Sequence, residues 1–272
     1  MISDNPYIPK PAELVEVIDE TPTIKTLVVA PSEPMAFRAG QFVQLTLPGV
    51  GEAPFTPSSS PVEPERLAIT ILSTGCVTER LHQCTAGAAL GLRGPFGQGY
   101  PIGRLAGKDV LVVGGGVGLA PLRALILELL EELGRIERLS IKYGARCMEE
   151  LLYADQHAQW TSDPKVDFTC TIDRGQEGWT GRTGVVTTLL KDVDVDKSNC
   201  LCFVCGPSVM LKFATFTLID EGFEPEQIYL SMNRRMSCGM GLCGRCNIGP
   251  HYLCKDGPDM NYAQIKDYPN VF

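Results

Sequence analysis

The chain changes rhythm once, near residue 105, and that change restricts it to an architecture with two unlike halves. Before it, Glu13–Ile18, Thr23–Val29, Gln41–Leu47 and Arg66–Leu72 are short, β-branched and partly alternating, with turn signals at 31–34, Ala39-Gly40, Pro48-Gly49 and 61–64 between them. Such runs predict antiparallel strands of a sandwich or barrel. One helix is expected there, over Val77–Thr85. After the change, the continuous apolar strand Asp109–Val113 leads into the glycine run 114–118 and then into a helical pattern over Pro121–Leu133. Further strands are expected at Leu139–Tyr143, Val166–Ile172 and Leu201–Cys205, alternating with helices over Met148–Trp160, Gly184–Leu190 and Ser208–Glu221. That alternation predicts a doubly wound α/β domain on a parallel sheet. Beyond Met232 no long periodic element remains, and the expected division is 1–103, 104–231 and 232–272.

Composition narrows the function classes. A formal charge of -8 disfavours a surface that coats nucleic acid or an anionic membrane. With only three histidines against 11 cysteines, chemistry centred on imidazole gives way to thiol, metal or redox chemistry. The start Met1-Ile2-Ser3-Asp4-Asn5-Pro6 has neither a basic nor an apolar signal region, so a cytoplasmic protein with reduced thiols is expected. The apolar run 110–130 is interrupted by glycines, Pro121, Arg123 and Glu128, too broken for a membrane span of about 20 residues.

Four of the cysteines stand together. Cys238, Cys243, Cys246 and Cys254 follow the spacing C-x4-C-x2-C-x7-C, whose first three positions match the plant-type 2Fe-2S pattern. Glycines 239, 241 and 244 permit a tight loop whose backbone amides point at sulfur, a way of tuning cluster potential. Four thiolates also suit a structural zinc ion, although zinc sites usually present two paired knuckles and the last cysteine here has no close partner. Upstream, Gly114, Gly115, Gly116 and Gly118 between strand and helix let backbone amides approach a phosphate, or merely pack helix on strand. Pro121 reads as the first residue of that helix. Cys205-Gly206-Pro207 ends a strand at the sheet edge where open α/β folds bind ligands. The 53–60 segment, Ala-Pro-Phe-Thr-Pro-Ser-Ser-Ser, reads as a loop carrying one ring and several hydroxyls.

Taken in order along nearly the whole chain, these residues resemble the ferredoxin-NADP reductase superfamily, and more closely the gamma (flavin) subunits of cytosolic multisubunit hydrogenases and sulfhydrogenases. Ala53-Pro54-Phe55-Thr56 resembles the family's R-x-Y-[ST] flavin motif. The resemblance implies that Phe55 flanks the flavin ring of FAD, that the Thr56 hydroxyl lies near N5, and that Pro57 and Ser58 continue the site. Ala53 departs from the pattern. The arginine that helps hold the FAD pyrophosphate is missing there, which leaves Gly75, Val77 and Thr78 as candidates for that task. Gly94-Pro95-Phe96-Gly97 is similar to the segment that closes the flavin barrel. The glycine run resembles the nicotinamide-dinucleotide loop, Tyr143-Gly144-Ala145-Arg146 the segment beside that cofactor, and Cys205-Gly206-Pro207 with Met210 the C-G-P-x-x-M motif that sets Cys205 near nicotinamide C4. The cysteine segment is similar to that of the hydrogenase gamma subunit and of the electron-transfer subunit of class B dihydroorotate dehydrogenase, with Asp256-Gly257-Pro258 fitting the former.

The implied chemistry converts the two-electron exchange of NAD(P)H into one-electron steps at a 2Fe-2S cluster, with FAD between them. Thr56 and Cys205 are the candidate catalytic residues. No second substrate site is visible, so other subunits of a redox complex are the expected partners, a hydrogenase first. Heterodisulfide reductase, sulfite reductase and dihydroorotate dehydrogenase assemblies remain open, as does a non-enzymatic NAD-responsive protein with a structural zinc. Arg234, Arg235 and Arg245 beside the cysteines read as a docking site for an acidic partner or as a solvated loop. Arg146 and Arg174 are available to a 2′-phosphate, which leaves NAD and NADP both open.

Overall fold

The computed structural model describes residues 5–191 and 193–272. Six strands build the first unit: β1 (Lys10–Asp19), β2 (Ile24–Pro31), β3 (Phe42–Leu47), β4 (Gly51–Phe55), β5 (Leu67–Leu72) and β6 (Ala89–Phe96). They pair antiparallel in the order β4-β3-β6-β1-β2-β5. The edge strands β4 and β5 approach one another without a ladder, so the sheet curls around its core of Leu14, Leu27, Leu45, Ile69 and Leu92. Helix α1 (Cys76–Leu81) packs on β4. Strands β4 and β6 are not evident in the sequence pattern. Pro54 interrupts the first; Gly91, Gly94 and Pro95 interrupt the second, residues that normally mark turns or sheet edges. The flavin-like motif therefore starts on a strand and not in a loop.

The second unit alternates β7 (Asp109–Gly115), α2 (Leu119–Glu131), β8 (Arg138–Ala145), α3 (His157–Trp160), β9 (Val166–Ile172), β10 (Arg182–Thr183), β11 (Cys200–Cys205), α4 (Ser208–Asp220) and β12 (Ile228–Ser231). These strands run parallel in the order β10-β9-β8-β7-β11-β12. All seven residues of β7 are buried, as expected for a strand covered on both faces by helices. The expected helix over 148–160 is instead a 3₁₀ turn at Met148–Glu150, an irregular stretch, and the single turn α3. The Tyr143 hydroxyl accepts the Leu152 amide at 3.1 Å, and Tyr153 adopts φ +56°, so the chain cannot continue as a helix there. Gly184, at φ +122°, likewise restricts the next expected helix to a 3₁₀ segment, Val186–Leu190. Pro121 is the third residue of α2, not the first, still within the turn whose amides need no intrahelical partner.

The cysteine-rich segment carries β13 (Asn247–Ile248), β14 (His251–Tyr252), α5 (Leu253–Asp256), β15 (Asp259–Asn261) and α6 (Tyr262–Ile265). Strand β15 pairs antiparallel with β12 and becomes the seventh strand of the parallel sheet. Two cores result. One joins the barrel interior to the α2 face of the sheet, through Leu119, Leu122 and Leu125. The other joins the α4 face to the cysteine segment, through Leu111, Val113, Leu211, Leu253 and Met260. No helix of the described residues is long and apolar enough to cross a membrane.

Candidate functional site

Strand order reverses at β7: the chain moves to β8 and β9 on one side and returns to β11 and β12 on the other. Open sheets bind ligands at such switch points. Register pairs Gly114 with Cys205, so the glycine run and the Cys-Gly-Pro turn lie side by side at this carboxyl edge. A Cβ on Gly118 would sit 2.4 Å from the Cys205 carbonyl oxygen, and one on Gly206 2.6 Å from Met210 Sδ. At Gly118 glycine is required by close backbone approach, whereas at Gly206 the near neighbour is a flexible thioether. Gly116, at φ +55°, faces open space. Helix α2 begins with no side-chain cap; the Leu119 amide is taken by the Gly116 carbonyl of the preceding 3₁₀ turn. Gly115, like Gly206, lies against Met210. Gly144 packs on Val186, Arg146 is exposed, and Tyr143 is fully buried with its hydroxyl tied to Glu150 and Leu152. Tyr143 therefore supports the edge from beneath.

Cys205 is buried, and burial first, then the nearby Asp259 carboxylate, pushes its thiol up to about 12. It is a neutral thiol at pH 7. Its neighbour Ser231 donates to Asp259 Oδ1 and contacts the Tyr100 hydroxyl at 3.2 Å. Burial holds the Asp259 carboxyl up at about 7 against the opposing Ser231 hydrogen bond, and Oδ2 has no hydrogen-bond partner. None of these three residues is readable from the sequence, because no spacing marks a buried acid on a returning strand.

A cavity of about 400 Å³ opens on the barrel side. Its walls include Ala53, Phe55 and Thr78 from the barrel, with Asn233, Arg235 and Met236 from the approach to the cysteines. Phe55 is half-buried, a ring positioned on one wall. Thr56 is half-buried beyond the strand end, whereas Pro57 and Ser58 are buried; the Ser58 hydroxyl bonds Thr70 at 2.8 Å. Thr78 Oγ1 accepts the Gly75 amide at 3.0 Å and donates to the Gly75 carbonyl at 2.9 Å, closing the first turn of α1, while half-buried Val77 sits in that same turn.

The four cysteines meet as two pairs. Cys246 and Cys254 have their sulfurs 3.4 Å apart, and the Cys238 and Cys243 thiols are hydrogen-bonded. Amides of Met240 (3.4 Å) and Leu242 (3.3 Å) point at Cys238 Sγ, and that of Gly241 (3.0 Å) at Cys254 Sγ. Glycines 239, 241 and 244 all adopt positive φ, between +73° and +82°, which frees these amides to point inward. Burial alone would raise the Cys238 thiol, yet amides of Cys243, Met240 and Leu242 together with the Cys243 side chain bring it down to about 6. Burial and the Cys246 side chain push Cys254 up to about 12. Among the described residues no three of His, Cys, Asp or Glu converge on one ion. Two thiol pairs under sulfur-directed amides suit a two-iron group better than one tetrahedral ion. Cys243 is exposed, as is Leu242 beside it.

The barrel grips this loop. Gln44 donates to the Met236 carbonyl, and Arg93 donates to the Ser237 and Cys238 carbonyls at 3.1 Å while paired with Glu52. Neither residue is marked by a motif; the only signal is polarity inside apolar strands.

An oxidoreductase NAD-binding domain matches residues 112–215, and an iron-sulfur cluster binding domain of dihydroorotate dehydrogenase B matches residues 233–266. The gamma subunit of sulfhydrogenase 1 from Pyrococcus furiosus is 32% identical over 285 residues, spanning 100% of this chain and 97% of its own. A probable dihydroorotate dehydrogenase B (NAD(+)) electron transfer subunit from Methanocaldococcus jannaschii is 37% identical over 248 residues, 89% of this chain and 86% of its own. A solved NADH-dependent reduced ferredoxin-NADP oxidoreductase, described for flavin-based electron bifurcation, superposes with a TM-score of 0.76 at 26% identity, covering 95% of this chain and 90% of that one. The similarity spans barrel, glycine-run sheet and cysteine segment together, and the chain belongs to the family of sulfhydrogenase gamma subunits and dihydroorotate dehydrogenase B electron transfer subunits.

Proposed function

We propose that this chain is the electron-transfer flavoprotein subunit of a multisubunit oxidoreductase, passing electrons between NAD(P)H and a partner subunit through FAD and a 2Fe-2S cluster. The observation that carries the reading is the shared wall of the barrel cavity: Phe55 stands on one side, and on the other Asn233–Ser237 run directly into Cys238. A ring held there lies against the segment that holds the cluster. Bound flavin supplies the exchange between a hydride donor and a one-electron carrier. The chain's residues position the parts. The amides of Gly114–Gly118 receive the dinucleotide phosphate; Gly206, Pro207 and Met210 shape the nicotinamide edge, with Gly144 and Arg146 at its flank. Cys205 offers that edge a neutral thiol, Phe55 flanks the flavin ring, and Thr56 presents its hydroxyl beside it. Cys238, Cys243, Cys246 and Cys254 ligate the irons.

The flavin unit spans 1–103, the dinucleotide unit 104–231 and the cluster segment 232–272. A hydrogenase is the partner favoured, since relatives that run the full length of the chain are sulfhydrogenase gamma subunits. The second reading, a dihydroorotate dehydrogenase partner, rests on the family model that fits the cysteine segment itself. Eleven unpaired cysteines support a cytoplasmic location.

Anaerobic purification with flavin, iron and zinc analysis tests the reading. Bound FAD and about two irons per chain are expected, with an EPR signal on NAD(P)H reduction. Cys243→Ser should remove that signal while FAD stays bound. Colourless protein containing zinc overturns the reading, and an unchanged signal in the variant overturns the ligand assignment.

A further inference from the structure

The barrel cavity contains an unpaired cation that the flavin reading leaves without a task. Three arginines lie at or beside its wall. Arg93 is paired to Glu52, its Nε 2.8 Å from Oε2, and fills its remaining donors with the carbonyls of Pro6, Ser237 and Cys238. Arg234 also lines the cavity, but its guanidinium is engaged by the carbonyls of Asn233, Asn270 and Val271. Arg235 is exposed, lines the cavity, and makes no hydrogen bond or ion pair to another described residue. The one acidic wall residue, Glu52, is already neutralised by Arg93. Of the barrel residues on the wall, Ala53 provides no charge, and the Thr78 hydroxyl is occupied within its own turn.

A flavin dinucleotide brings two negative charges on its pyrophosphate into this space, and a planar guanidinium matches phosphate oxygens with paired donors. We infer that Arg235, which lines the barrel cavity together with Ala53, carries the pyrophosphate of FAD, so that the cluster segment supplies the cation the flavin strand lacks. The inference rests on the flavin reading above. It makes flavin retention depend on the segment that also holds the cluster.

The test uses the full chain, reversibly stripped of flavin, titrated with FAD and with riboflavin, which has the ring without phosphate, by flavin fluorescence. Arg235→Ala should weaken FAD by roughly 10- to 100-fold and leave riboflavin affinity and iron content as in the wild type. Ala53 shares a strand face with Phe55, two residues on, so adding Ala53→Arg to the variant should restore much of the FAD affinity. Equal weakening of FAD and riboflavin, or unchanged FAD affinity in Arg235→Ala, overturns the inference while leaving the flavin reading in place. Wild-type chain that binds neither overturns that reading and this inference with it.

Discussion

Asp259 is the described carboxyl whose charge the fold shifts furthest. Its carboxyl stands at about 7 against an ordinary 3.8, chiefly through burial. The folded chain therefore keeps a proton that the unfolded chain releases near pH 4, and each tenfold weakening of that acid inside the fold corresponds to about 1.4 kcal/mol. Stability should fall by a few kcal/mol as pH rises from 4 to 7 and level off above that. Asp259→Asn cannot ionise and should flatten this slope, measured as unfolding midpoints at pH 5 and pH 8. The same slope in both proteins would sink the assignment. This group is illegible in the sequence: its effect comes from the register that sets β15 against β12 and Ser231 opposite Asp259. Residues set by local chemistry are legible, because a glycine needed for close backbone approach, as at 118, has to be written as glycine whatever surrounds it.

At the scale of elements, the pattern is readable where one periodicity runs unbroken and misleads where tertiary contacts override local preference. Strand β7 and helix α2 appear as expected, since a wholly apolar strand and a helical stripe each have one good burial solution. Strand β6 is hidden because its glycines and Pro95 mimic a turn, yet it lies between β3 and β1 in the middle of the sheet. It also carries Arg93, which joins three elements at once: β6, β4 through Glu52, and the cysteine loop through two carbonyls. Arg93→Ala should cost about 2–4 kcal/mol, toward the lower end for a buried pair because Glu52 keeps some solvent. Denaturant unfolding measures that cost. Iron release to a chelator should quicken in parallel, and release at the wild-type rate would show that the loop holds itself.

At the scale of the whole molecule, the units expected from composition are interleaved by packing. Barrel and dinucleotide sheet share one core, and that sheet shares a second core with the cysteine segment. A chain ending after Ser231 would bare the β12 edge and strip Arg93 and Gln44 of their carbonyl acceptors in the cysteine segment. Such an edge invites association, so the truncated chain should elute as aggregates on gel filtration and unfold at a lower temperature. A monomer of unchanged stability would show that the segment is an appendage. The sequence pattern separates the three regions but cannot show this, because the contacts that fuse them lie far apart along the chain.

The return of β15 into the same sheet that presents Gly114 and Cys205 has one more consequence. Carriers mounted on separately hinged bodies can regulate traffic by swinging together and apart. Here the edge that carries Gly114 and Cys205 and the segment that bears the cysteines belong to one hydrogen-bonded body, itself fastened to the barrel. On the function proposed above, the redox stations would then be held by shared strands and cores, with no separately packed body to swing. Direction and pace would then be governed by potentials and by what meets the exposed pair Leu242 and Cys243.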